Sequence, residues 1–283
     1  MNYRHAFHAG NFADVVKHAV LARMLLYLNR KDAAYRVLDT HAGAGRYDLA
    51  GEEAVRGGEW QRGVGALDGI ALPAEAEALL EPWRRAVASV NGGGGLTAYP
   101  GSPLIAQMLS RPQDRLLLCE TEPGVRGALA EAVHGDTRTK VLATDGWQAL
   151  AAYLPPKERR GLVLIDPPFE QPGEFERLAE GLKFTHARWA GGMLAAWYPI
   201  KDVRAVDTFR RAVARAAMPK TLRVEFDLQT VRQADRLSGC GLIIVNPPFT
   251  LADELRVLLA ALAPHLASDG KGRVRVGWIL PER

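Results

Sequence analysis

The run Gly161-Leu-Val-Leu-Ile-Asp166-Pro167-Pro168-Phe169 joins a continuous apolar stretch to a carboxylate, two prolines and an aromatic ring. Consecutive prolines remove two backbone donors and fix a rigid turn, so the carbonyls of that turn face outward as acceptors. Such a turn suits an exocyclic amine on an aromatic base. The amine is a poor nucleophile because its lone pair is delocalised into the ring, and it reacts only as the nitrogen moves toward tetrahedral geometry. Two acceptors can hold its two N–H groups in that arrangement, the Asp166 carboxylate and the Pro167 carbonyl. Phe169 can stack on the base, a contact worth about 1 to 3 kcal/mol. The lone pair then points at a sulfonium methyl for in-line attack, with alignment supplying much of the acceleration.

A second copy of the pattern, Gly241-Leu-Ile-Ile-Val-Asn246-Pro247-Pro248-Phe249, competes for the same role. Its shape does not decide the matter, because an Asn form of the turn also serves amine methylation. Order along the chain does. Asp166 follows directly on three strand ends that carry acids and glycines, whereas Asn246 comes at least two strands later. Asn246 is therefore expected toward the far sheet edge, as a structural strand stop.

The three strand ends are Tyr35-Arg-Val-Leu-Asp39 leading into Thr40-His-Ala-Gly43-Ala-Gly45-Arg-Tyr-Asp48, then Leu116-Leu-Leu-Cys-Glu120, then Asp145-Gly146. Paired glycines at a strand end let the backbone approach a ligand closely. A carboxylate at the next strand end can accept both ribose hydroxyls of a bound adenosine, and Asp145 can accept from an adenine amine. Each acid alone could equally be a turn or helix cap. Three at successive strand ends point to a nucleotide-type cofactor. Asp48 stands where a full dinucleotide fingerprint would have its third glycine.

Positioning these groups requires an open α/β sheet with helices on both faces. Short β-branched and Leu-rich runs alternate with helical stretches, and the expected strands are 36–40, 115–120, 140–144, 161–166, 192–198, 222–228, 241–246 and 274–280. A first helix is expected over Ala13 to Asn29, with Val16, Val20, Met24 and Tyr27 on one face and Asn11 as its cap. Roughly 70 residues separate the first two strands, where a simple crossover uses about 30. We therefore expect residues 1–48 and 103–283 to form the main domain and 49–102 a helical insertion, with a helix over Ala74 to Ser89. The Asn91-Gly-Gly-Gly-Gly95 run reads as a flexible connector, since no Gly-Lys-Ser/Thr completes a phosphate loop. The insertion reads equally well as a lid, an RNA-contacting unit or plain decoration.

Composition sets the outer limits. The chain has 283 residues, 48% hydrophobic and 24% charged, which excludes disordered, collagen-like and coiled-coil classes. There is no apolar stretch long enough for a membrane span and no secretory signal at the N-terminus, so a cytoplasmic protein is expected. Cys119 and Cys240 lie in apolar runs and read as reduced core residues. No metal is expected, even with four of the seven histidines in the first 41 residues. A net charge of +4 permits a nucleic-acid partner without demonstrating one.

Taken together, these segments resemble the bacterial large-subunit ribosomal RNA adenine-N6 methyltransferases of the RlmJ family, over essentially the whole chain. The matching stretches are Tyr3 to Asn11 with Asp14, Lys17 and His18; Asp39 to Tyr47; Tyr99 to Ala106; Asp145-Gly146; Arg160 to Glu170; Ala196-Trp-Tyr-Pro199; and Ser238 to Phe249. The resemblance implies a Rossmann-like class I methyltransferase sheet of seven or eight strands, S-adenosylmethionine as methyl donor, and an adenine of 23S ribosomal RNA as substrate. It also implies that His18, His41, Ser102, Glu120, Asp145, Gly146 and Asp166 line the cofactor pocket, beside the Gly43 already read from the paired glycines. Asp166 is then the catalytic acceptor, with Pro167 and Phe169, and Tyr3 touches the RNA. Arg4 and Lys17 could pair with phosphates beside Tyr3. Phe169 and Phe249 stand where a known member has Tyr and Trp, so an aromatic face survives at both positions while any phenol hydrogen bond is lost. A monomer is expected.

Rival readings remain at this level. A DNA adenine methyltransferase would share the chemistry but use other recognition elements, and no additional target-recognition domain is visible. A glutamine-N5 protein methyltransferase would carry the Asn form of the turn. An NAD-dependent oxidoreductase would have no use for Asp-Pro-Pro-Phe, and a noncatalytic RNA-binding protein would not need the series of carboxylates.

Overall fold

The computed structural model describes residues 5–229 and 237–282. Its first half contains α1 (Phe12–Leu28), β1 (Arg36–Asp39), β2 (Arg46–Asp48), α2 (Glu52–Gly57), α3 (Ala74–Ser89), β3 (Ala98–Pro100), α4 (Ser102–Leu109), β4 (Arg115–Cys119), α5 (Pro123–Ala132) and β5 (Thr139–Leu142). The second half contains α6 (Gly146–Tyr153), β6 (Gly161–Ile165), α7 (Glu174–Arg188), β7 (Met193–Ile200), α8 (Val203–Arg215), β8 (Thr221–Asp227), β9 (Gly239–Val245), α9 (Leu251–Leu266) and β10 (Arg273–Leu280). All eight expected strands are present, and they form one sheet in the order β10-β8-β9-β7-β6-β1-β4-β5. The five strands from β5 to β7 pair in parallel, and β9, β8 and β10 continue the sheet through antiparallel pairs.

Interior strands such as β6 and β9 are buried on both faces, which is why they read as unbroken apolar runs, whereas the edge strands β5 and β10 are only partly covered. Side chains alternate between two cores. Leu162 and Leu164 join one, with residues of α1, α3, α4, α5 and α9; Val163 and Ile165 join the other, with residues of α6, α7 and α8. Each such buried side chain contributes about 2 kcal/mol. Helices thus cover both faces, as the alternating pattern requires.

Helix α1 begins where Asn11 caps it, its Oδ1 accepting from Ala13 N at 2.9 Å and Asp14 N at 3.0 Å. The expected apolar stripe is only part of its contact surface. Asp14, Lys17 and His18 are buried as well, because α3, α4 and α9 pack against the helix that the sheet already covers from beneath. Within residues 49–102, Leu80 and Trp83 of α3 belong to the same core as α1, and β3 pairs antiparallel with β2, which lies just before that range.

The position of Asn246 differs from expectation. Its strand, β9, is interior, between β7 and β8, and not at an edge. β9 runs antiparallel to β7, with Val245 opposite Leu194 at the start of that strand. Asn246 therefore lies at the sheet rim opposite to the one where β6 ends.

Candidate active site

Consecutive β1, β4 and β5 run outward in one direction from the centre of the sheet, and β6 and β7 in the other. The crevice at the carboxyl ends of β1 and β6, where that direction reverses, is where open α/β sheets bind ligands. A cavity of about 990 Å³ opens there. Its lining includes Lys17, His18, His41, Gly43, Ser102, Glu120, Asp145, Gly146, Asp166, Pro167 and Phe169. Residues up to 149 positions apart in sequence meet in it. Tyr3 and Arg4 lie outside the described residues.

Each strand end contributes a distinct group. After β1, Gly43 has φ of 65°, and a Cβ there would come within 2.3 Å of the Tyr47 hydroxyl, so only glycine fits the turn. After β4, Glu120 Oε2 accepts from Gly43 N at 3.1 Å, which ties the first two strand ends together. After β5, Asp145 caps α6 by accepting from Trp147 N at 2.9 Å and Gln148 N at 3.1 Å. The cap reading and the cavity reading both hold for Asp145. A Cβ on Gly146 would approach the Thr40 carbonyl oxygen to 2.2 Å, so the start of α6 rests directly on the end of β1.

After β6, Asp166 is partly exposed to the cavity, Pro167 is buried and Pro168 is exposed. Phe169 takes φ of 54°, an uncommon region for a bulky residue. Its N–H donates to Glu174 Oε2 at 2.9 Å, and its ring lies 4.9 Å from that of Phe175 and 5.9 Å, edge-on, from that of Trp197. One carboxylate and two aromatic neighbours thus hold the strained turn in place.

The Asp166 carboxylate has one partner from α1: Lys17 Nζ donates to Oδ2 and also binds Asp14 Oδ1 at 2.8 Å. This corrects the phosphate-pairing role expected for Lys17. The side chain is 5% exposed and already paired with two carboxylates, so it cannot reach a surface phosphate. Burial alone would lower its pKa, but the attraction of Asp14 and Asp166 prevails and holds it well above the ordinary lysine value. Asp14 in turn accepts from Gly10 N at 2.9 Å and faces His5 Nε2 at 3.0 Å. Burial opposes its charge, yet Lys17 and His5 keep its pKa well below the usual carboxylate range.

Two imidazoles of the cavity wall, His18 and His41, are held toward the neutral form by burial. Burial lowers His18 to about 3 and His41 to about 4. His18 Nδ1 pairs with the Tyr99 hydroxyl at 2.9 Å, and His41 Nδ1 pairs with Thr40 Oγ1 at 2.8 Å. Ser102 Oγ donates to Asp39 Oδ2 at 2.6 Å. Burial raises Asp39 to about 6, and the Ser102 bond only partly offsets this.

A family model described as ribosomal RNA large subunit methyltransferase D, RlmJ, matches residues 32–280. The chain belongs to the RlmJ family. Among its relatives are two proteins named ribosomal RNA large subunit methyltransferase J. The one from Escherichia coli is 39% identical over 285 residues and the one from Haemophilus influenzae 36% identical over 284, each alignment covering all of both chains. A crystal structure of a Legionella pneumophila protein superposes with a TM-score of 0.87 at 32% identity, covering 95% of this chain and 98% of that one.

Within this RlmJ-family chain, the cavity also contains residues that sequence reasoning left without a role. Trp197 and Pro199 come from the end of β7, Lys201 from the turn after it, and Arg46 from β2. The Ala196-Trp-Tyr-Pro199 stretch was a signal for the first two. Arg46 and Lys201 had none, because isolated basic residues look alike wherever they sit. At the opposite rim, Asn246 Nδ2 donates to the carbonyls of Ala190 at 2.7 Å and Gly192 at 2.8 Å, pinning the loop that enters β7. Phe249 is 75% exposed there. The second turn follows β9 at the rim away from the cavity, a placement set by the antiparallel direction of β9 and not by an edge position.

Proposed function

We propose that this protein transfers a methyl group from S-adenosylmethionine to the N6 amine of an adenine in 23S ribosomal RNA, acting as a monomer in the cytoplasm. The observation that carries the reading is the Asp166-Pro167-Pro168-Phe169 turn, which lines the same cavity as Gly43, Glu120 and Asp145. The RNA part rests on family membership and on the names of the two relatives.

The residues present fit the cofactor. Glu120 can accept ribose hydroxyls, Gly43 and Gly146 leave the backbone open where a side chain would intrude, and the neutral His18 and His41 add no charge to repel a sulfonium. When bound, S-adenosylmethionine supplies an electrophilic methyl group. Asp166 accepts one N–H of the adenine amine and the Pro167 carbonyl the other, which favours the tetrahedral nitrogen over the planar one. Because Lys17 occupies Oδ2, Oδ1 is the oxygen left for substrate. The Lys17 ammonium, bound at Oδ2, orients the carboxylate so that its other oxygen faces the amine as positive charge develops there. The Phe169 face stacks on the base, and its positive-φ backbone, held by Glu174, fixes the angle of that face. Such preorganised acceptors act where charge develops in the transition state.

Tritiated methyl transfer from the cofactor to ribosomal RNA, genomic DNA and release factors, measured in parallel, tests the reading. We expect label in the large-subunit RNA alone. Label in DNA would make the protein a DNA methyltransferase, label in release factors would make it a glutamine methyltransferase, and no label anywhere would leave a noncatalytic RNA-binding protein.

A further inference from the structure

Helix α8 carries four arginines with two different fates. Arg210 turns inward, where it meets Asp207 and lies 3.2 Å from the buried Glu225. Arg204, Arg211 and Arg215 are exposed, and no carboxylate pairs with them among the described residues. Together with Thr208 they recur at spacings of four, three and four, which places them on one helical face. That face spans about 16 Å at 1.5 Å per residue. An exposed face that served only solubility would mix both signs. The neighbouring helix α7 does so, with Glu176, Arg177, Glu180 and Lys183 all exposed.

The stripe starts at the cavity. Helix α8 directly follows β7, whose Trp197 and Pro199 line the cavity together with Lys201. Asp202 caps the helix by accepting from Arg204 N at 2.7 Å, which fixes Arg204 on its first turn. A polyanion held along Arg204, Arg211 and Arg215 would therefore run from the far end of α8 to Lys201 at the cavity.

From this geometry we propose that the outer face of α8 is the track for the RNA backbone, with Arg204, Arg211 and Arg215 pairing with successive phosphates and Lys201 with the phosphate nearest the target adenosine. Phosphate contacts of this kind set register and affinity and carry no base specificity. The proposal rests on the RNA reading above.

The test compares two full-length variants, each with three cations removed. One is Arg204→Gln, Arg211→Gln, Arg215→Gln. The control is Arg256→Gln, Lys271→Gln, Arg273→Gln, on α9, the segment before β10 and the start of β10. Circular dichroism confirms folding of both, and methyl transfer to a large-subunit RNA fragment is followed over a range of salt concentrations. For the α8 variant we expect KM for RNA to rise about tenfold or more and the salt slope of binding to fall by about 2, since each single-strand phosphate contact contributes about 0.7. The cofactor Kd and kcat at saturating RNA should stay within twofold, and the control should resemble wild type. An unchanged KM and slope for the α8 variant, or an equal loss in the control, would overturn the track. A wild-type protein that labels no RNA would instead overturn the underlying reading, and the track with it.

Discussion

The ammonium of Lys17, on the first helix, donates to Oδ2 of Asp166, at the end of the fourth parallel strand to be laid down, across 149 residues of sequence. The same ammonium binds Asp14, so one buried cation serves two carboxylates. Removing one partner of a buried charge network leaves the others uncompensated, at a cost of about 3 to 5 kcal/mol.

Lys17→Met should therefore be both less stable and less active. We expect its urea midpoint to fall by an amount equivalent to about 3 kcal/mol, and kcat of the folded fraction to fall about 10²-fold as Asp166 loses its orientation and its counter-charge. Urea denaturation and single-turnover rates check both. A folded Lys17→Met protein with wild-type kcat would show that the pair is structural only.

Glu120 should behave differently, because a ribose contact is present in the ground state and the transition state alike. Glu120→Ala is expected to raise the cofactor KM at least tenfold while kcat changes by only a few fold. Calorimetric titration with S-adenosylhomocysteine gives the affinity change directly. A loss confined to kcat would place Glu120 in the chemistry and not in cofactor binding.

The contrast between Lys17 and Glu120 shows what the sequence made legible. Apolar runs marked the interior strands such as β6 and β9, because strands covered on both faces must be apolar throughout. Acids at their ends could then be assigned to a common rim, since parallel strands joined by helices all end on the same side. Lys17 was different: in the sequence it read as a surface cation able to pair with a phosphate, and only the tertiary meeting of α1 with the end of β6 and with Trp197 makes it a buried one. Asn246 shows the same limit. Its motif matches that of Asp166 in type and spacing, but strand direction is a tertiary property, and the antiparallel placement of β9 is what carries Asn246 to the other rim. The short β2 and β3 strands, three residues each, are too brief for any periodicity to announce them.

Acid sensitivity should trace in part to His18. Its pKa is depressed to about 3 in the folded protein, so between that value and about 6.5 the unfolded chain binds a proton that the folded one does not. The resulting stability is fully present above pH 6.5 and is lost as pH falls through that window. Asp39, raised to about 6, acts in the opposite sense: its contribution is fully present below its unfolded value and is lost as pH rises through about 6. We expect His18→Gln to reduce the stability difference between pH 7 and pH 5 by about 2 kcal/mol. Urea denaturation at the two pH values is the measurement, and an undiminished difference would mean that His18 is protonated in the folded state.

The central claim is that Asp166, and not Asn246, holds the amine being methylated. Ribosomal RNA incubated with S-adenosylmethionine and each of three folded proteins, wild type, Asp166→Ala and Asn246→Ala, can be digested to nucleosides and assayed for N6-methyladenosine by mass spectrometry. We expect wild type to form it, Asp166→Ala to form it at least 10²-fold more slowly, in the range for loss of a transition-state hydrogen bond, and Asn246→Ala to lie within a few fold of wild type per folded molecule. Asn246→Ala should melt earlier, having lost the bonds to Ala190 and Gly192. An active Asp166→Ala protein beside a folded but inactive Asn246→Ala protein would contradict the account.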